Sequence, residues 1–145
     1  MLLQIPMARS CKFAVAVHIT ALLALEEQAC VSEWIAGSVN TNPVVVRRIL
    51  SALAKAGLVT STRGSNGGST LAKSPERITL LDIQRAVEDE EPPPLHHQPP
   101  NPACPVGRNI QSVLVRVMDR AEAAREAVLA TTTLADIAGA LRLAG

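Results

Sequence analysis

Three consecutive pieces decide the fold: Ser32-Glu33-Trp34-Ile35-Ala36-Gly37-Ser38-Val39, then Asn40-Thr41-Asn42, then Pro43-Val44-Val45-Val46-Arg47-Arg48-Ile49-Leu50 on to Gly57. Ser32 suits an N-cap, since its hydroxyl can accept from a free amide of the first turn. Trp34, Ile35 and Val39 then form the inward side of a short helix over 33–39. Asn40 to Asn42 reads as a tight turn. Pro43 falls at a first helical position, where its missing N–H is no loss and its φ is already helical. Val45, Ile49, Leu50, Leu53 and Ala56 recur at helical spacing, and Gly57 closes that helix. After Gly57 the periodicity changes: residues 58–62 are strand-like, 63–68 are a turn and 69–72 return as a second strand. Gly64, Gly67 and Gly68 supply the positive φ values such a hairpin tip needs. Helix, three-residue turn, helix and glycine-tipped hairpin predict a winged helix-turn-helix.

Working outward, Lys12 to Leu25 is apolar on nearly every side and reads as a buried first helix, with His18 a hydrogen-bonded core histidine. Trp34 is most simply packing between the first two helices. Thr79-Leu80-Leu81-Asp82 is a capping box opening a helix to about Glu88, and Thr133-Leu134-Ala135-Asp136 repeats the device for a last helix. Between them the composition breaks. Seven of the ten prolines (Pro92, Pro93, Pro94, Pro99, Pro100, Pro102 and Pro105) lie in 88–105, beside the acids Glu88 to Glu91. Such density excludes helix and strand and predicts an extended linker. Beyond it Val106, Ile110, Val113, Val117, Ala121, Ala124 and Val128 recur every three or four residues, a continuous apolar seam on a long helix. A seam that long needs a partner, and no large second domain exists in the chain to cover it. The division expected is 8–88 for a DNA-binding domain, 89–105 for the linker and 106–145 for the dimerisation helix with the C-terminal helix. The fold class is mainly α with a small β-hairpin wing.

The chain has 145 residues, 48% of them apolar, enough for one modest core. Aromatic residues are reduced to Phe13 and Trp34, which argues against a single-strand stacking platform or a cation cage. The apolar run Phe13 to Leu25, broken by His18 and Thr20, is too short to span a bilayer. The opening Met1-Leu2-Leu3-Gln4-Ile5-Pro6-Met7 lacks the basic and apolar regions of a signal peptide and reads as a lead-in, with Met1 or Met7 as the start. Three widely spaced cysteines, Cys11, Cys30 and Cys104, do not make a disulfide scaffold, so a cytoplasmic protein is expected.

The net charge of +1 is unevenly spread. Within 37–75 there are Arg47, Arg48, Lys55, Arg63 and Lys73 and no acid, the footprint of a surface for a polyanion. A recognition helix enters the major groove through its N-terminal residues, here Thr41, Asn42, Pro43 and Val44. Arg47, with Val44 and Ser51 on the outward face, suits a guanine edge, and Arg48 suits phosphate. In the wing, Arg63, Gly64, Ser65, Asn66, Gly67 and Gly68 reach phosphate or a narrow minor groove. Ordinary solubility and local ion pairs are the simpler account of the same arginines.

These segments together, with Phe13 to Ile19, Ala56-Gly57-Leu58-Val59 and Ile78 to Ile83, resemble the Rrf-two family of bacterial transcription regulators, in order over about residues 8 to 140. The resemblance implies homodimeric winged-helix regulators of double-stranded DNA, usually repressors, crossing over through a long helix like 106–128. Some members sense iron, nitric oxide or redox state through an iron–sulfur cluster held by three cysteines before that helix. This chain departs from the pattern: only Cys104 lies there, near His96 and His97, and one thiolate does not hold a cluster. No cofactor is therefore expected.

Cys104 precedes Pro105 and falls at the N-cap of the dimer helix, where the helix dipole and Arg108 would favour thiolate. It is the first candidate for a thiol-directed sensor, and Cys11 the second; three inert cysteines are the plain alternative. His96, His97 and Cys104 offer no fourth ligand for zinc, so no metal site is assigned. No paired acid and base, nucleophile motif or phosphate loop supports an enzyme. The expectation is a homodimer on a pseudo-palindromic operator, joined through Ile110, Val113, Val117, Ala121 and Ala124, answering an unidentified small-molecule or redox effector. The alternatives are a winged-helix protein-interaction module that never touches DNA, and an iron–sulfur-sensing regulator.

Overall fold

The computed structural model describes residues 11–88 and 94–145. The lead-in around Met1 and Met7, and residues 89–93 of the linker, lie outside the described residues.

Helix α1 (Lys12–Leu25) is the central post of the molecule. Being apolar on nearly every side it needs cover on most of its surface, and it receives it from the helices and the hairpin described next, while Ala14, His18 and Leu25 stay exposed. Ala16, Ile19, Ala21 and Leu23 are buried. Thr20 is fully buried too, but its hydroxyl donates to the carbonyls of Ala16 (2.9 Å) and Val17 (3.1 Å), so no donor is stranded. His18 departs from expectation: it is exposed, with Nε2 3.0 Å from the Ser38 hydroxyl. It ties α1 to the next helix from outside the core.

Helix α2 (Ser32–Val39) starts at Ser32 itself, with Val31 in the capping position and no side-chain cap. Ile35 and Ala36 face inward, whereas Trp34 is 47% exposed, not packed between helices. Adjacent helical residues are about 100° apart, so once Ile35 takes the narrow inward stripe Trp34 is turned to the flank. Asn40 adopts the left-handed conformation (φ 61°), and the Thr41 amide donates to the Ala36 carbonyl at 3.0 Å. The turn is thereby closed, as read from sequence.

Helix α3 (Pro43–Lys55) is capped by Asn42, whose Oδ1 accepts from the Val44 amide at 2.8 Å. Its inward stripe is Val46, Ile49, Leu50 and Leu53; Val45, assigned inward from its spacing, is exposed. Val46 completes an i, i+3, i+4, i+7 stripe that Val45 cannot. Gly57, with φ 76°, ends the helix in a complete Schellman arrangement. Its amide donates to Ala54 and that of Leu58 to Leu53, both at 3.0 Å.

Strands β1 (Val59–Thr62) and β2 (Gly68–Leu71) pair antiparallel, Val59 opposite Leu71 and Thr62 opposite Gly68. Cys30 adds a further rung, exchanging backbone hydrogen bonds with Ser69 at 3.0 and 2.8 Å. Gly68 is required here: a Cβ would stand 2.8 Å from the Cys30 carbonyl oxygen, at φ 149°.

A 3-10 turn (Pro75–Arg77) leads through buried Ile78 into α4 (Leu80–Val87). The chain then crosses by the loop 94–104 to α5 (Pro105–Thr131) and returns in α6 (Leu134–Ala144). Both expected capping boxes form, each Asp accepting from the Thr amide at 2.9 Å and donating its own amide to the Thr hydroxyl at 3.1 Å. The two boxes also lie side by side. Thr79 and Thr133 bridge antiparallel, the Leu80 amide donating to Thr132 (2.9 Å) and that of Leu134 to Ile78 (2.8 Å).

This bridge revises the division of the chain. Helix α6, grouped by sequence with the dimerisation helix, packs on α1 and the 3-10 turn, with Leu134 fully buried and Ala138 nearly so. It is part of the winged-helix body. Helix α5 reaches furthest from the body: at about 1.5 Å per residue its 27 residues span about 40 Å and none of them is buried, although its second half packs on α4 and Leu129 lies against the core.

Candidate nucleic-acid interface

The first turn of α3 presents Asn42 and Val44 to solvent, with Thr41 and Pro43 half-buried beneath them. Asn42 holds this end in shape, because its Oδ1 is committed to the Val44 amide. Val45 is exposed beside Val44, which adds a second apolar contact surface that the periodicity had hidden. Arg47, Arg48 and Ser51 are exposed further along the helix.

In the wing, Arg63, Gly64, Ser65 and Asn66 are exposed, while Gly67 and Gly68 are half-buried and build the hairpin. A Cβ on Gly67 would lie 2.9 Å from the Arg63 carbonyl carbon. The two elements share a groove of about 380 Å³, lined by Arg47 and Ser51 of α3, by Ser61, Thr62 and Gly68 of the wing, and by Ser32 of α2. Its walls are mixed: Leu50, Ala54 and Cys30 contribute apolar surface, while the Arg47 guanidinium and the serine and threonine hydroxyls are groups that can meet phosphate and sugar oxygens.

Arg47 is not free-standing. Its Nη2 donates to Glu33 Oε1 at 3.0 Å, so Glu33, not singled out from sequence, joins the site. The Glu33 backbone N–H and then the Arg47 guanidinium hold that carboxyl below the usual glutamate range. Nothing in the sequence flags a pair fourteen positions apart; only the crossing of α2 and α3 creates it.

Along α5, Val106, Val113, Val117 and Val128 are each more than half exposed, Ala121 and Ala124 are exposed, and Ile110 is half-buried. Val115 and Met118, outside the expected seam, are exposed as well and widen the apolar surface. The second half of the helix is tied to the body by Arg125, 3.3 Å from Glu88, and by Arg85, 3.6 Å from Glu126. In the crossing loop His96 Nδ1 lies 3.4 Å from the Gln111 amide nitrogen.

The cysteines stand apart in place and chemistry. Cys11 is exposed at the start of α1, and Cys104 is exposed at the N-cap of α5. The Cys104 thiol is held below the ordinary cysteine range by the backbone amides of Gly107 and Val106. The lowering expected there is present, but its source is those amides and not Arg108. Cys30 is buried, its Sγ 3.6 Å from the Gln28 carbonyl, and desolvation pushes its pKa up, with Glu26 adding to the effect.

A family model described as Rrf2, iron-dependent transcriptional regulator, matches residues 9–140. The chain belongs to the Rrf2 family. It is 46% identical over 126 residues to YwnA of Bacillus subtilis, whose name describes an HTH-type transcriptional regulator; the match covers 87% of this chain and 93% of YwnA. Among solved structures it superposes on T. potens IscR with a TM-score of 0.71 at 27% identity, covering 96% of this chain and 89% of that one. It superposes on CymR, the global cysteine regulator of B. subtilis, with a TM-score of 0.66 at 30% identity, covering 92% and 97%. As an Rrf2 protein the chain has the winged-helix DNA-binding fold of transcriptional regulators.

Iron in the family description prompts a comparison with the donors present. Among the described residues no three His, Cys, Asp or Glu side chains converge, and the thiols sit on three separate elements, one of them buried. This donor set does not fit an iron–sulfur cluster. Among the described residues, no helix is long and apolar enough to cross a membrane.

Proposed function

We propose that the chain is a homodimeric, sequence-specific repressor that binds a pseudo-palindromic operator in the cytoplasm. The observation that carries the reading is the shared groove, where the outward face of α3 and the wing stand side by side with Arg47 between them. The exposed first turn of α3 enters the major groove, with Val44 against thymine methyl groups and Arg47 against a guanine edge. Arg48 and the wing residues Arg63, Ser65 and Asn66 follow the phosphates. Helix α5 supplies the dimer: its exposed apolar face, from Val106 through Val113 and Val117 to Val128, is matched by the same face of a second copy.

The regulator works without a cofactor, and its input is thiol-directed at Cys104. Exposure and the amides of Gly107 and Val106 favour the thiolate there. With a peroxide, that sulfur attacks one oxygen, the O–O bond breaks and a hydroxide or alkoxide leaves, giving a sulfenic acid at the root of the dimer helix. Cys11 is the second candidate.

Salt titration tests the DNA reading. Affinity for an operator selected from random duplex falls steeply with salt, and replacing Arg63 with alanine lowers the slope by about one unit. Failure to bind any duplex at low salt replaces this reading with a protein-interaction module.

A further inference from the structure

We propose that Glu33 is a specificity-determining residue, a carboxylate on α2 that holds Arg47 of the recognition helix in the one orientation that reads a base. The inference rests on the DNA reading above. The contact joins two helices through Nη2 and Oε1 at 3.0 Å, with the two side chains 54% and 66% exposed. An ion pair in that much water adds little to folding, so its value has to be sought elsewhere. An unheld arginine surrenders a large rotamer entropy when a base fixes it. Arg47 has already surrendered part of it.

The anchor is itself fixed. Glu33 lies in the first turn of α2, and its carboxylate is favoured by its own backbone N–H as well as by Arg47. A guanidinium has five N–H donors, so one bond to Glu33 leaves others for the O6 and N7 acceptors of guanine. Arg47, which Glu33 touches, lines the groove with Ser51 and the wing residues Ser61 and Thr62, so the anchor acts at the edge of the proposed DNA-binding face. The segment 37–75 holds five bases and no acid. Folding brings a negative charge onto that basic face, which weakens attraction to every phosphate and improves discrimination between bases.

The test measures binding of wild type, E33A, E33Q and R47A to the selected operator, to operators varied one base pair at a time, and to unrelated duplex. E33A loses about ten-fold of the preference for guanine at one position of each half-site, while its binding to unrelated duplex rises about two-fold. E33Q gains the same non-specific binding but keeps most of the preference, because its amide oxygen still accepts from Nη2. In an R47A background, E33A changes the preference no further. If E33A and E33Q strengthen binding to all duplexes alike, with base preference intact, Glu33 is a simple electrostatic brake and the proposal fails. A wild-type protein with no preference among duplexes overturns the DNA reading beneath it, a different and separable result. All five proteins, the E33A/R47A double variant included, are compared after thermal melting shows unchanged folding, as expected for two exposed side chains.

Discussion

At Cys104 the free amides of a helix start act on a sulfur that solvent reaches, whereas Cys30 is shielded beside the wing. The signs follow. A thiol whose pKa is lowered gives thiolate at lower pH than free cysteine, and one whose pKa is raised gives it later. Alkylation by iodoacetamide at neutral pH is therefore expected at Cys104 before Cys11, with Cys30 untouched until unfolding; mass spectrometry of partly modified protein shows the order. Glu33 behaves in the same sense as Cys104, staying ionised as pH falls past the ordinary glutamate range. Operator preference should thus stay flat from about pH 8 to about pH 5, since no step in it awaits an ordinary carboxylate. How far single residues were legible depended on local rivals. Asn42, Pro43 and Gly57 could be placed because a cap, a missing N–H and a left-handed φ admit few residue types. Val45 and Val46 could not be told apart in a run of three valines, and Trp34 was drawn inward by size when its neighbours had already taken the inner stripe.

Among the elements, α5 and α6 make opposite predictions. Leu134 is fully buried against α1 and the 3-10 turn, so Leu134→Ala should destabilise the fold by about 2–5 kcal/mol, measured by chemical denaturation. Val117 is half exposed on a helix with no buried residue, so V117D should leave the body folded by circular dichroism and abolish the dimer in sedimentation. A monomeric wild type would refute the second expectation. The capping boxes marked both helix starts in the sequence, since a threonine and an aspartate three apart satisfy each other locally. That the boxes sit against one another was not legible, because a bridge between Thr79 and Thr133 spans more than fifty residues of intervening chain. The sequence division places α6 in one segment with α5 because the two are adjacent along the chain; the buried Leu134 and Ala138 pack it on α1 and the 3-10 turn.

For the whole molecule the winged helix and its ligand class were open to sequence reading because helix, turn, helix and hairpin are each written in short-range signals. The groove shared by α3 and the wing emerges only when Ser69 meets Cys30, a contact between distant segments. In the proposed homodimer, two such bodies joined through α5 would present their recognition helices at a fixed separation. Inserting half a helical turn of DNA, about five base pairs, between operator half-sites should therefore abolish cooperative binding, and a full turn should restore part of it; band-shift titration distinguishes the two. Finally, Leu134 follows in sequence every residue proposed to touch DNA, yet it is fully buried in the core of the body. During synthesis the winged helix leaves the ribosome before Leu134 does, and its core stays incomplete until that side chain arrives. A fragment that stops within α5 should therefore be loose and protease-sensitive, which limited proteolysis beside the full chain would show.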